Sequence, residues 1–286
     1  MTRREFLVLS AAVGLRVPTW GGQVPFEGSD VFDRIMRLSD SGNMRFNPIG
    51  ELTGWVGRQF VGSPYASATL ERNVEKEYCF VSMTRFDCVT FFEASLNLAR
   101  CIKKQKQTSD DLVRAVTETR YRDGKLSGYA SRLHYTSDWM DDNARRGIVR
   151  VVTGDLIGAV PYDKKVDYMS SHPDAYPQLK ARPEWVAKIA AIETEINKRG
   201  HLYVPKDRVV DSESLLATGD IVGITTTISG IDCSHTGLIV RDGDRALFMH
   251  ASSSKGQVIV GGPISDYLAS SAKATGLMVV RPVEPA

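Results

Sequence analysis

Hydrophobic residues recur with two different periods along this chain, and the change falls near residue 218. Before it, helical spacing predicts four helices: residues 31–38, 86–104, 110–119 and 184–198. After it, a period of two predicts strands at residues 220–225, 236–240, 246–251, 257–260 and 277–281. Helices followed by strands, without regular alternation, indicate an α+β domain whose N-terminal helices pack on a mainly antiparallel C-terminal sheet.

The segment between these two parts, residues 121–183, has no sustained period, and its many aromatic residues lie among Gly, Asp, Ser and Pro. The chain contains neither a repeat of fixed length nor a low-complexity tract. We therefore predict a single domain over residues 21–286.

The first residues differ from the rest of the chain. Arg3 and Arg4 precede an apolar stretch over residues 6–15, a pattern that resembles the export signals of the twin-arginine (Tat) system. The alternative is an ordinary first helix of the domain. The apolar stretch is about half the roughly 20 residues that a membrane-spanning helix needs. We predict an export signal over residues 1–20, a periplasmic or otherwise exported protein, and no permanent membrane anchor.

The charge and the cysteine content of the chain limit which classes of binding partner we expect. The net charge is +2, with 36 basic and 34 acidic residues spread along the chain, so neither nucleic acid nor an anionic membrane is an expected partner. Four cysteines are too few for a disulfide framework, and their spacing matches no common zinc pattern. We expect a monomer without metal or cofactor, in which at least one thiol is free for chemistry.

One cysteine stands at the predicted start of the clearest amphipathic helix. Asp87 is a good N-cap, which places Cys88 in the first turn, facing inward. The positive end of the helix favours a thiolate there, and its unpaired N–H groups can bind an oxyanion. The alternative is that Cys88 is a small buried core residue. Cys79 and Cys101 lack such a setting, and we predict structural roles for both.

Two of the five histidines lie on neighbouring strands of a predicted hairpin. With Asp242 and Gly243 as a two-residue turn, Arg241 faces Asp244, and His235 and His250 lie directly opposite each other on one face, roughly 5 Å apart at Cβ. A base oriented by a third polar group is what a nucleophilic cysteine needs. A one-residue slip would turn one imidazole to the other face.

A zinc site is the alternative use of these side chains. Cys233 lies two residues before His235, on the same side if the strand extends that far, so Cys88, Cys233, His235 and His250 could be drawn as ligands. Their spacing matches none of the common zinc patterns.

Taken together, these residues resemble the NlpC/P60 papain-like peptidoglycan hydrolases, and within them the DUF1460 branch of N-acetylmuramoyl-L-alanine amidase-like proteins. The matching positions are residues 62–65, 86–93, 121–124, 131–135, 138, 139, 169–172, 203–206, 219–221, 232–237 and 250–252. The resemblance implies a papain-like fold and a triad of Cys88, His235 and His250, with Tyr65 lining the oxyanion site. One departure is Val89, because the wider superfamily usually has Ser after the cysteine.

The resemblance implies hydrolysis of the amide between the lactyl group of N-acetylmuramic acid and L-alanine, in peptidoglycan or its fragments. We group Asp87 with the oxyanion and substrate-binding residues, and expect Arg132, Tyr135 and Trp139 to form walls for a sugar and a peptide carboxylate. Arg132→Ala should then raise KM before it affects folding. The alternatives are an endopeptidase that cuts between D-glutamate and the diamino acid, and a non-catalytic cell-wall binding module.

Overall fold

The computed structural model describes residues 26–71 and 73–286, so the predicted export signal at residues 1–20 lies outside the described part. The helices are α1 (Ser29–Ser41), α2 (Ile49–Arg58), α3 (Cys88–Lys103), α4 (Ser109–Arg120), α5 (Thr136–Arg145), α6 (Tyr168–Ser171), α7 (Pro177–Ala181), α8 (Val186–Asn197), α9 (Val209–Ser212) and α10 (Ile264–Ser270). None of these helices combines the length and the apolar character that a membrane span requires.

The strands form one large antiparallel sheet and a small parallel pair. They are β1 (Phe26–Glu27), β2 (Val81–Ser82), β3 (Val149–Val151), β4 (Val160–Pro161), β5 (Leu202–Pro205), β6 (Ile221–Thr226), β7 (Cys233–Asp242), β8 (Arg245–Ser252), β9 (Gln257–Pro263) and β10 (Ala274–Pro282). The large sheet has the order β4-β5-β10-β6-β7-β8-β9, with β3 also paired to β10. The α+β class and the antiparallel C-terminal sheet are confirmed.

Strand β7 has apolar residues on both faces because both faces of the sheet are covered. Its even-numbered residues, Leu238 and Val240, join the core that contains the N-terminal helices. Its odd-numbered Ile239 packs in a second core with Phe248 of β8 and the buried side chains of α10. The strand therefore lies between α3 on one side and α10 on the other.

The middle of the chain forms a helix that the pattern did not predict. In α5 the buried positions include Ser137, Asp138, Asp142 and Asn143, so its inner face is largely polar. The carboxylates of this face are paired: Asp138, for example, accepts bonds from the guanidinium of Arg122 at 3.1 Å and 2.5 Å. A helix with a polar buried face leaves no apolar stripe in the sequence.

Candidate active site

Asp87 is the N-cap of α3, as the sequence predicts. Its Oδ1 accepts a hydrogen bond from the main-chain N–H of Thr90 at 2.7 Å, and the Thr90 hydroxyl accepts one from the Asp87 N–H at 3.0 Å. Oδ2 accepts a further bond from the hydroxyl of Thr69. Both carboxylate oxygens are thus used within the chain, in capping α3 and in binding Thr69, and the expectation that Asp87 contacts substrate stays a prediction.

Cys88 is the first residue of α3 and is tied to strand β7. The hydroxyl of Thr236 donates to the carbonyl oxygen of Cys88 at 2.9 Å, and Thr236 itself is buried. Thr236 is the neighbour of His235 in the chain, so this bond joins the cysteine-bearing helix to the histidine-bearing strand. Cys88 and His235 are both partly exposed.

The environment of the Cys88 thiol opposes ionisation. Burial among protein atoms raises its pKa to about 11, and the neighbouring charge of Asp87 adds to the increase. The neighbouring polar groups of Thr236 act in the opposite direction but do not compensate. Desolvation and the capping carboxylate therefore act against the thiolate that the helix start is expected to favour.

The two histidines meet, although not in the predicted register. Asp242 pairs with Arg245, so the two turn residues are Gly243 and Asp244, one position later than predicted. Moving the turn by one residue shifts the partners by two, which keeps every side chain on its face. His235 and His250 are therefore diagonal neighbours on one face, with Nε2 of His235 2.7 Å from Nδ1 of His250.

Gly237 makes room for this diagonal contact. Extending the register places it opposite His250, and a Cβ on Gly237 would lie 2.9 Å from Cβ of His250 and 2.6 Å from the ring of Phe248. The Phe248 ring stacks on His250 with 4.6 Å between centroids. A side chain at position 237 would displace His250 from its partner.

Both imidazoles are neutral at neutral pH. Burial lowers the pKa of His235 to about 3, with a smaller contribution from His250. Burial also lowers the pKa of His250 to about 4. Because neither ring is charged, their hydrogen bond contains a single proton, and one ring must donate to the other.

Tyr65 lies beside the thiol. Its N–H donates to the carbonyl of Gly256 at 2.8 Å, and it forms a parallel bridge with Phe86, just before the start of α3. Burial, followed by the negative charges possible at Cys88 and Asp87, raises the pKa of its phenol. The hydroxyl therefore remains a hydrogen-bond donor next to Cys88.

Arg132 lies among groups of the protein itself. It is 3% exposed, and its guanidinium donates to the carbonyl of Leu70 at 3.0 Å and to Glu71 at 2.7 Å, with Glu77 at 3.5 Å. These partners are all within the chain, and the substrate role of Arg132 stays a prediction. Because the guanidinium binds Leu70, Glu71 and Glu77, its removal should affect folding.

Tyr135 and Trp139 also have their contacts within the protein. The Tyr135 hydroxyl donates to Glu193 at 2.7 Å and accepts from the main-chain N–H of Met169 at 3.0 Å. Trp139 packs edge-on against Phe92 with 4.9 Å between ring centroids. Both are buried within the protein, and their place in a substrate wall stays a prediction.

Cys233 is on the opposite side of the sheet from His235. A bulge in β7 pairs Ile224 with His235 but Thr225 with Cys233, which breaks the alternation at position 234. Cys233 consequently joins the core on the helix side. Within residues 26–71 and 73–286, no three His, Cys, Asp or Glu side chains come together as a metal site would require. All four cysteines are free, and Cys79 and Cys101 are buried.

The sequence reasoning missed two residues of this site, Thr236 and Tyr267. Tyr267 of α10 stacks over the ring of His235, with 6.0 Å between centroids and 26° between planes. A signal existed for it: Ile264, Tyr267 and Leu268 follow one another at helical spacing after Pro263. No sequence pattern indicated that this short helix covers the histidines.

Comparison with known proteins identifies the family to which the chain is similar. Residues 55–276 match the family described as AmiA-like, N-acetylmuramoyl-L-alanine amidase-like. No match was found among curated proteins.

Solved structures resemble the chain over most of its length. An N-acetylmuramoyl-L-alanine amidase from Bacteroides uniformis is 33% identical, with a TM-score of 0.76 over 82% of this chain and 99% of the other. A Bacteroides fragilis protein named as a candidate xylanase is 36% identical, with a TM-score of 0.74 over 79% and 99% of the two chains. A Legionella pneumophila protein of the DUF1460 family is 21% identical, with a TM-score of 0.65 over 90% and 97%, and shows the fold alone. The chain therefore belongs to the AmiA-like, N-acetylmuramoyl-L-alanine amidase-like family.

Proposed function

We propose that this protein is a cysteine amidase of the papain-like, NlpC/P60 kind, which hydrolyses the amide between N-acetylmuramic acid and L-alanine in peptidoglycan or its fragments. One observation carries the proposal. Cys88, at the start of α3, accepts a hydrogen bond at its main-chain carbonyl from Thr236 of β7. The preceding residue of that strand, His235, is hydrogen-bonded to His250. A nucleophile, a base and a group that orients the base are the parts that acyl transfer needs.

The hydrogen bond between the histidines defines the working tautomer. Nε2 of His235 is engaged with His250, which leaves Nδ1 of His235 for the thiol. Nδ1 can accept a proton only if the ring's own proton is on Nε2, so His235 must donate and Nδ1 of His250 must accept. His250 then has its proton on Nε2, and its role is to select this tautomer.

Because thiol and imidazole are both neutral, the reaction begins with proton transfer. Nδ1 of His235 takes the Cys88 proton as the sulfur attacks the lactyl carbonyl, and the C–O electrons move onto the oxygen. The N–H of Cys88 and the hydroxyl of Tyr65 stabilise this oxyanion. The imidazolium then protonates the departing alanine nitrogen as the C–N bond breaks, which leaves a thioester.

The second half of the cycle releases the sugar acid. His235, again neutral, takes a proton from water as the water oxygen attacks the thioester carbonyl, and the proton returns to the Cys88 sulfur as the C–S bond breaks. The products are the lactyl carboxylic acid and the free peptide. Each proton taken by His235 is given back, so the resting state is restored.

The substrate assignment draws support from the family and from the named activity of the Bacteroides uniformis relative. The name of the Bacteroides fragilis relative suggests glycoside hydrolysis instead. That chemistry uses a pair of carboxyl groups across the scissile bond. Asp87, the carboxylate beside Cys88, is committed to capping α3 and to Thr69. The site therefore favours amide over glycoside hydrolysis.

Digestion of a defined disaccharide-tetrapeptide, followed by mass spectrometry, tests the proposal. We expect free disaccharide and intact peptide, and no product from xylan. A disaccharide that retains a dipeptide would identify the D-glutamyl endopeptidase instead. Cys88→Ala should abolish turnover, whereas Cys101→Ala, which removes a buried thiol elsewhere on the same helix, should not. Binding without cleavage by the unmodified protein would indicate a cell-wall binding module.

We also propose that the protein is exported through its twin-arginine signal. The support is the sequence of residues 1–20, in which Arg3 and Arg4 precede the apolar stretch. Replacing both by Lys keeps the charge and removes the motif, so the full chain should remain inside the cell when fractions are compared. Equal export of the two forms would contradict the proposal.

A further inference from the structure

One aromatic ring from outside the sheet, that of Tyr267, covers the face of the histidine pair that points away from the strands. Tyr267 stacks on His235 at 6.0 Å and 26°, and meets His250 edge-on at 5.3 Å and 66°. It also contacts Phe248, at 4.8 Å between centroids. The three rings of the sheet thus share one partner, which is itself partly exposed.

Tyr267 is held firmly enough to constrain its partners. It belongs to α10, whose Ile264 and Leu268 are fully buried in the core beneath the sheet. The helix start is anchored where the N–H of Ser265 donates to the carboxylate of Glu213 at 2.9 Å. A short helix fixed at these points holds the Tyr267 ring in one position over the imidazole of His235.

We propose that Tyr267 is a positioning residue of the site: its ring covers His235, holds the imidazole at the angle from which Nε2 meets His250, and keeps water from that face. This rests on the proposed function, because the ring acts through the catalytic base. Ring contacts account for every observed interaction of Tyr267 with the histidines, whereas burial and then the charge possible at Cys88 raise the pKa of its hydroxyl.

The surroundings of His235 allow a direct test of this covering role. The titratable groups in contact with its ring are His250 on β8 and Tyr267 on α10, and its cross-strand neighbour on β6 is the apolar Ile224. Burial is the main cause of its lowered pKa, and His250 the second. Opening the ring-covered face to water should therefore move this pKa toward its ordinary value.

The experiment compares Tyr267→Leu with Tyr267→Phe. In Tyr267→Leu, NMR titration of the protein without substrate should show the pKa of His235 raised by about one unit or more. The acid limb of the kcat/KM profile should move to higher pH by the same amount, and kcat should fall about tenfold or more with KM nearly unchanged. Tyr267→Phe keeps the ring and should retain the unmodified pKa, pH profile and kcat within about threefold.

Tyr168→Leu is the matched control. It removes a ring that stacks on another histidine, His172, with 4.2 Å between centroids and 13° between planes. It should leave the titration of His235 as it was. Circular dichroism confirms that each variant is folded before its titration is interpreted.

Two results would overturn the inference: an unchanged His235 titration in folded Tyr267→Leu, or a loss in Tyr267→Phe as large as in Tyr267→Leu, which would assign the effect to the hydroxyl. Because the titration needs no substrate, it also separates this inference from the proposed function. A protein that cleaves no muropeptide, yet shows the pKa shift in Tyr267→Leu alone, would refute the amidase and leave the covering role intact.

Discussion

The ionisation of Cys88 makes the sharpest prediction, because the structure and the helix-start argument disagree about its direction. With a pKa of about 11, the thiol should be deprotonated in roughly one molecule in 10,000 at pH 7, since each pH unit below the pKa lowers the thiolate fraction tenfold. Alkylation by iodoacetamide reports this fraction, because only the thiolate reacts. The rate at Cys88 should therefore rise about tenfold per pH unit from pH 6 to pH 9.

The assay is a time course with mass spectrometry of the Cys88 peptide. Cys79, Cys101 and Cys233 are buried and serve as internal references, which should react only if the protein unfolds. A rate that is already high at pH 5 and constant to pH 8 would show a preformed thiolate. That result would refute the reasoning that burial and Asp87 outweigh the helix start.

Asp87→Asn separates the two causes. Asn caps helices about as well as Asp, so α3 should remain intact while the negative charge disappears. The alkylation rate of Cys88 at pH 8 should then rise about tenfold for each unit by which its pKa falls. The matched control is Asp111→Asn, which changes the corresponding capping box of α4 and lies near Cys101 rather than Cys88. An unchanged Cys88 rate in Asp87→Asn would leave burial as the whole cause.

Three further predictions follow from the same geometry. Arg132→Ala removes the cation from the partly exposed carboxylate of Glu71 and the buried carboxylate of Glu77 and should lower stability by about 3–5 kcal/mol in denaturant unfolding; an unchanged stability with a higher KM would support its substrate role. Tyr65→Phe should lower kcat about a hundredfold with little change in KM, and an unaffected kcat would remove Tyr65 from the oxyanion site. The pKa of His250 is lowered from 6.5 to about 4, so the unfolded chain binds the extra proton between these values and stability is lost as pH falls through them. His250→Asn should lose less stability over this interval, which acid-denaturation curves would reveal; equal losses would show that other groups dominate.

The long periodic elements were predictable because their sequence pattern reports burial directly. The four predicted helices and five predicted strands are present, each end within three residues of its predicted position. Helix α2 was missed because Gly50, Gly54 and Gly57 break its apolar stripe. These glycines reflect close packing instead: a Cβ on Gly57 would lie 2.5 Å from Cε of Met249. Such close approach between distant segments leaves no local pattern.

The candidate site also contains features that the sequence pattern predicts and features that it does not. That His235 and His250 share a face followed from strand alternation. It held despite the wrong turn position because moving the turn by one residue shifts the cross-strand partners by two. The burial of Arg132 was not predictable, since its partners Leu70 and Glu71 lie far away in the chain. An arginine in an irregular segment has the same local sequence whether it meets a substrate or a buried carboxylate.

A neutral thiol and a neutral imidazole make ionisation part of the reaction rather than a property of the resting protein. Burial and Asp87 both oppose a negative charge on the Cys88 sulfur. A free thiolate is therefore unfavourable, and the sulfur should lose its proton as it bonds to the substrate carbonyl, so that the charge moves to the carbonyl oxygen. The hydrogen-bond donors that point at the oxyanion should then contribute most to the rate, because they act only in the transition state. Since oxidants also attack the thiolate, the same environment should leave Cys88 inert while no substrate is bound. In the proposed enzyme, a raised thiol pKa is thus compatible with catalysis, and under the proposed export it would favour a nucleophile that survives outside the cell's reducing interior.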